Sequence, residues 1–302
     1  MASFIMAGRI QAAIFVIVST LISLLLPPMI VFSNAAIALI TLRKGWQQGI
    51  LFTLLATATL VLVSIFLQQS TSSGVIAGLI NWLPMVLLAS ALAMTKLWGK
   101  TLLLILAFSA IGVLLFHFIH PDASAFWKPM MEQMKPILQK MQQANQMSDG
   151  VASKSLDETI NNASNWMTGT FAAALAIISI LSLIIARNWQ ALLYNPGGFG
   201  EEFRQIRIGK QASIALVVAI VIAVLSSNQL IVELIMVGIA IFLFQGLSLA
   251  HAMVKKRGMN TRWLIGLYIL MFLLPIQMIV LLATFGIIDN FADFRTRVTN
   301  KE

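Results

Sequence analysis

An all-α bundle of membrane-spanning helices is the fold this sequence predicts, and three observations predict it. Of 302 residues, 59% are hydrophobic and 10% charged, with a mean hydropathy of +0.90. Soluble domains average about 25% charged residues, so too few are present to cover a water-facing surface of this size. The apolar residues also gather into runs long enough to cross a bilayer. Finally, Cys is absent and Gly and Pro are modest, at 18 and 8. That composition excludes disulfide scaffolds, thiolate chemistry and collagenous or disordered chain.

A crossing takes about 20 apolar residues at a rise of about 1.5 Å each. Leu51–Leu67, Val75–Thr95, Leu102–Ile119, Trp166–Ala186 and Ile231–Ala252 meet that length. Ala212–Leu225 is shorter and borrows a turn from each flank. Trp263–Ile288 is long enough to tilt, with a kink expected at Pro275. The first stretch, Gln11–Leu42, would run roughly 48 Å as one helix, too long for a core of about 30 Å. Pro27-Pro28 break it near the middle, so a short hairpin with its tip at the prolines is expected. Nine crossings follow; a single kinked helix would give eight. Only Arg9 precedes this run, and prolines stand where small residues would mark a cleavage, so it is not expected to be a removable leader.

Net charge is +9 and the pI about 10.2. In this setting the basic residues set orientation rather than bind nucleic acid. One set of connecting segments carries thirteen cations, among them Arg9, Arg43, Lys44, Lys96, Lys100, Arg187 and Lys256, against only Glu201 and Glu202. By the positive-inside rule that side faces the cytoplasm of a bacterial inner membrane, and the loop 121–165 faces outward. An odd number of crossings then puts the tail from Asp289 outside.

The loop 121–165 is the one sizeable polar stretch. Trp127, Met131, Met134, Leu138 and Met141 recur at helical spacing, which predicts one amphipathic helix on the outer leaflet or over the bundle. Ser153–Ala163 reads as a polar connector or short helix. Met130 and Met147, with His117 and His120 nearby, bring Cu(I) to mind. The methionines largely coincide with the apolar stripe, however, and no metal or other cofactor is expected. The inner segment 187–210 holds a turn, Asn195-Pro196-Gly197-Gly198, and then a short interfacial helix with Trp189 and Tyr194 as anchors. Its glycines lack a preceding strand and a GK[ST] ending, so a phosphate loop is not read there.

The run Tyr194-Asn195-Pro196-Gly197-Gly198-Phe199-Gly200, with Glu202-Phe203-Arg204 and Arg207, resembles the YybS-like family of uncharacterised bacterial membrane proteins. Gly8-Arg9-Ile10-Gln11-Ala12, Arg43-Lys44-Gly45, Gly266-Leu267-Tyr268, and Asp289 with Asp293-Phe294-Arg295 also fit, so the resemblance covers the whole length. The family has no established activity, and no functional residue carries over from it. Its hydrophobic layout is similar to the substrate-binding subunits of energy-coupling-factor vitamin transporters and, more distantly, to the rod-shape protein MreD. That implies small-molecule capture or envelope assembly.

No HExxH or GxSxG motif is present, and the three His stand beside no triad sequence, so an enzyme is not expected. Polar groups within spans are costly in hydrocarbon and often functional. Glu233 is the sharpest, the one acid inside a predicted span; Asn34, Asn81, Gln245 and Gln277 are expected to face the interior. The bland reading of Glu233 is a side chain that snorkels to the outer interface. The first functional reading is a non-enzymatic transport-type protein that binds a small molecule through Glu233, Asn81, Gln245 and Gln277. The second is a scaffold that docks membrane or cytoplasmic proteins through Asn195, Pro196, Gly197, Gly198, Phe199, Phe203, Arg204 and Arg207. A third is an intramembrane enzyme acting on lipid.

Overall fold

The computed structural model describes residues 1–144 and 149–297, and side chains outside 141–155. Helices supply the secondary structure of the described residues, as the apolar runs require: with no water in hydrocarbon, backbone polar groups must bond within the segment. Six are long and apolar enough to cross a membrane, and three shorter apolar helices accompany them.

The chain opens with α1 (Ala2–Ala7), α2 (Arg9–Leu25) and α3 (Ile30–Lys44). A 3-10 turn at Pro27–Met29 separates α2 from α3 and forms the expected tip of the first hairpin. Two prolines there withhold N–H donors and push the preceding residue out of helical geometry. The long helices α4 (Trp46–Phe66) and α5 (Thr71–Thr95) pack side by side. Gly74 lies against Ser64 and Gly78 against Thr57, so the small residues permit close approach. Trp82 Nε1 donates to Ser33 Oγ (3.1 Å) and Asn34 Nδ2 to Asn81 Oδ1 (3.4 Å), which ties α3 to α5 near mid-span.

Beyond α6 (Trp98–Ile119) the chain makes two short helices, α7 (Ala123–Glu132) and α8 (Lys135–Ala144). The single amphipathic helix expected here is therefore corrected to two. Pro136 has no N–H and its ring opposes the carbonyl one turn back, so the helix stops at Glu132. Trp127 leaves the stripe to be buried, while Met134 stays exposed. Met147 and the side chain of Met141 lie outside the described residues. The predicted connector Ser153–Ala163 is instead part of α9 (Asp149–Tyr194), a 46-residue helix about 69 Å long. At its far end Trp189 contacts Phe15 and Phe32, and the Arg43 guanidinium covers the Tyr194 ring at 3.7 Å. Both rings expected as interfacial anchors thus hold helices together.

After α10 (Gly198–Arg204) come α11 (Lys210–Ser226) and α12 (Gln229–Lys256), the most buried of the long helices. The last apolar run is broken into α13 (Arg262–Leu273) and α14 (Pro275–Ala292), with Leu274 at φ −129°, ψ 61°. Pro275 cannot donate back into α13, so one tilted helix cannot form. α13 starts six residues after Lys256, and Lys256 Nζ donates to the carbonyl of Arg295, in the short closing helix α15 (Phe294–Arg297). The α13–α14 unit therefore begins and ends at the same end of the bundle. This corrects the expectation for the tail: it sits on the side that carries Arg204, Arg207 and Lys256, not opposite it.

Candidate functional site

The end of the bundle opposite Arg187 and Lys256 holds a cavity of about 420 Å³ among α5, α6, α7 and α9. Its walls are mostly apolar, with Ile80, Leu88, Phe108, Val113 and Leu175 among them. Asn81, Ser109, Thr168 and Ser179 supply the polar points. Pro84 has no N–H to give the Ile80 carbonyl, so the α5 ladder lacks that bond beside the cavity. Gly112 borders the space, and a Cβ added there would meet nothing within 4 Å. Ile80, Phe108 and Phe171 remain exposed, so the cavity opens sideways between helices.

An aromatic cap closes its α7 end. Trp127 stacks on Phe116 at 5.6 Å, and its Nε1 donates to Thr168 Oγ1 at 2.9 Å. Phe126 and Phe171 pack edge-on or tilted against the same indole. This bond fixes α7 on α9. Asp122 caps the start of α7 by accepting from the Ala125 N–H, and that bond with the Ser124 hydroxyl holds the Asp122 carboxyl below its ordinary range.

Glu233 lies one residue layer away. Its side chain is fully buried, and Oε2 stands 2.7 Å from His117 Nε2, whose side chain is 19% exposed. Gln229 Nε2 donates to Glu233 Oε1 (3.4 Å) and to the Asn165 carbonyl. Gly169 makes the approach possible: a Cβ there would stand 2.7 Å from the Cα of Glu233. The snorkelling reading is set aside, because the carboxyl turns inward to an imidazole. Sequence reasoning weighed His117 as a copper ligand beside the loop methionines and missed its place opposite Glu233, in the last turn of α6. A usable signal existed. His117 is the third residue from the end of Leu102–Ile119 and Glu233 the third residue of Ile231–Ala252, so the two share a depth.

The remaining sequence candidates divide. Asn81 lines the cavity. Gln245 sits far from it, as a strut: Oε1 accepts from the Ile208 N–H (2.8 Å) and Nε2 donates to the Gly286 carbonyl (2.7 Å). Gln277 is exposed on the outside of α14, contrary to the interior position expected. The four do not converge on one site.

The segment 195–207 is largely spent on the protein itself. Phe203 is buried against His251 (5.2 Å) and Phe199 packs on Trp98 (6.2 Å). Arg207 pairs with Asp293 and approaches Asp289 (3.8 Å). Arg295 reaches Asp289 Oδ2 (3.0 Å) and the carbonyls of Arg204 (2.5 Å) and Ile206 (2.9 Å). Burial lowers the Arg295 guanidinium from its ordinary value, and the Arg207 bond holds Asp293 below the usual carboxylate range. Of the docking set, Asn195, Pro196 and Gly197 stand exposed at a turn, where Gly197 takes φ +87°, and Arg207 is exposed but paired with Asp293.

No group of three or more His, Asp or Glu side chains gathers among the described residues in a way that would hold a metal ion. No curated protein and no solved structure matches the chain. A family model does, over residues 12–290, and its span takes in the cavity, the Glu233 pair and the 195–207 turn alike. With nearly its whole length matched, the chain belongs to the family described as "Predicted membrane protein (DUF2232)".

Proposed function

We propose that this chain is a non-enzymatic, transport-type protein that binds an apolar or amphipathic small molecule in the capped cavity between α5, α6 and α9. The observation that carries the reading is the cavity itself. Ligand sites are concave, mostly apolar and furnished with a few placed polar groups, and this one has the volume and the furnishing. Its side opening suits a ligand that arrives from the bilayer. In this reading the cation-rich end faces the cytoplasm of a bacterial inner membrane. Helices α4, α5, α6, α9, α11 and α12 cross fully, and the proline-broken pairs α2–α3 and α13–α14 dip in from that side. Partner docking at the 195–207 segment would use the exposed turn Asn195–Gly197 and the exposed Arg207 beside it.

Native mass spectrometry of the protein released gently from its own membrane tests this, with Gly112→Leu as the comparison. A Cβ at that position meets nothing within 4 Å, so a leucine has room to enter the space that Gly112 borders. A stoichiometric adduct on the parent that Gly112→Leu loses supports the reading. Adducts limited to bulk phospholipid, equal on both proteins, reject it. A co-released protein subunit with no ligand favours the scaffold instead.

A further inference from the structure

The cap and the buried acid share their supports. On α6, Phe116 stacks on the cap indole, and the next residue, His117, holds Glu233. On α9, Thr168 accepts the cap's hydrogen bond, and the next residue, Gly169, abuts Glu233. Two consecutive residue pairs, on two helices, thus face the cavity cap with one member and the carboxyl with the other. A displacement of Glu233 has no route into α6 or α9 that avoids the seat of Trp127.

We infer that His117 and Glu233 form a proton-binding site whose occupancy sets the position of the α7 cap. In one state a neutral His117 donates Nε2–H to the Glu233 carboxylate, and the pair carries −1. Uptake of one proton from outer water, through the partly exposed imidazole, brings the pair to net zero. The groups around it decide what that does. α6 carries Lys100 at its far end, and His120, the residue after its last turn, is turned to Phe116 and Phe126 at 4.9 and 4.7 Å. α9 has no titratable side chain between Glu158 and Arg187, α11 none beyond Lys210 at its far end, and α12 none from Glu233 to His251. α7, seated on α9, carries Lys128 and Glu132; α14 carries Asp289 near the opposite end. No cation inside the spans therefore compensates the −1 state. A fully buried, uncompensated charge draws water or moves toward it. The net-zero pair stays packed with the cap seated; loss of the proton leaves a buried charge that loosens Glu233 from Gly169, and the cap with it.

This inference rests on the cavity reading only for what the cap covers, and its test needs no ligand. The chain has no Cys, so spin labels at Ala125→Cys on α7 and Leu67→Cys at the outer end of α4 report one distance in lipid nanodiscs. Between pH 5 and pH 8, the range in which imidazoles ordinarily titrate, the distribution should shift or broaden by at least about 2 Å. Glu233→Gln, permanently neutral, should hold the pH 5 distribution throughout. His117→Gln should likewise lose the response, and serves if Glu233→Gln does not fold. An unmoved distribution in the parent, or a full response retained in either variant, overturns the inference. A pH-driven cap without any small-molecule adduct upholds the proton site and rejects the ligand reading. An adduct on a cap that ignores pH does the reverse.

Discussion

Replacing Arg295 with Met should be among the most costly single changes outside the apolar core. Its side chain, 11% exposed, satisfies three acceptors: the buried Asp289 carboxylate and the carbonyls of Arg204 and Ile206. Removing one partner of a buried ion pair costs about 3–5 kcal/mol, because the other charge remains buried. Asp289 is fully buried and its Oδ1 already has no hydrogen-bond partner, so the loss of Arg295 strands the carboxylate further. Arg207 moderates it. That guanidinium stands 3.8 Å from Asp289 and is partly exposed, so it can move closer. The expected loss is therefore at the lower end, about 3 kcal/mol. Thermal unfolding followed by intrinsic fluorescence of the seven tryptophans reads this directly. Adding Asp289→Asn should return most of the lost stability, since it removes the stranded charge. If Arg295→Met costs under about 1 kcal/mol, or the double variant is no more stable than the single, the tail is not held by a buried charge network.

Three further outcomes are expected. Gly286→Leu should prevent normal packing of α14 on α12 and sharply lower the yield of folded protein, because even a Cβ would stand 2.6 Å from the Phe242 carbonyl and 2.9 Å from the Gly246 nitrogen; chromatographic monodispersity checks it. Trp127→Phe and Thr168→Val should each raise hydrogen exchange across α7, by the worth of one neutral hydrogen bond, about 1 kcal/mol, and the double variant should add little more. The tail should stay docked from pH 8 to pH 5. Asp293 is held below its ordinary range by Arg207, so its contribution is present above the unfolded value of 3.8 and lost only as pH falls through the lower folded value. Protease cleavage beside Arg297 that increases already at pH 5 would count against this contact.

Much of the architecture could be read along the chain because hydrocarbon leaves the backbone few options. Length and apolarity located α4, α5, α6, α12 and the inner part of α9, and Pro27-Pro28 placed the first tip. The same logic named Glu233 as a group that would not be left idle. It failed where one residue type permits two outcomes. Pro275 could kink a helix or end it, and it ended one; Pro136 divided an apolar stripe whose spacing alone looked continuous.

Composition and the long apolar runs determined that this is a helical membrane protein, since 10% charge cannot dress a soluble surface and an apolar run of about 20 residues satisfies its own backbone in lipid as a helix. Only the tertiary structure decided which polar groups meet. His117 and Glu233 are 116 residues apart, Arg207 and Asp293 are 86 apart, and Gln245 bonds Ile208 and Gly286 rather than a cavity. Helical periodicity fixes the face a side chain occupies on its own helix, not the neighbour that face is turned toward. That choice belongs to packing, where Gly169, Gly246 and Gly286 let helices close to backbone distance and so select the partners.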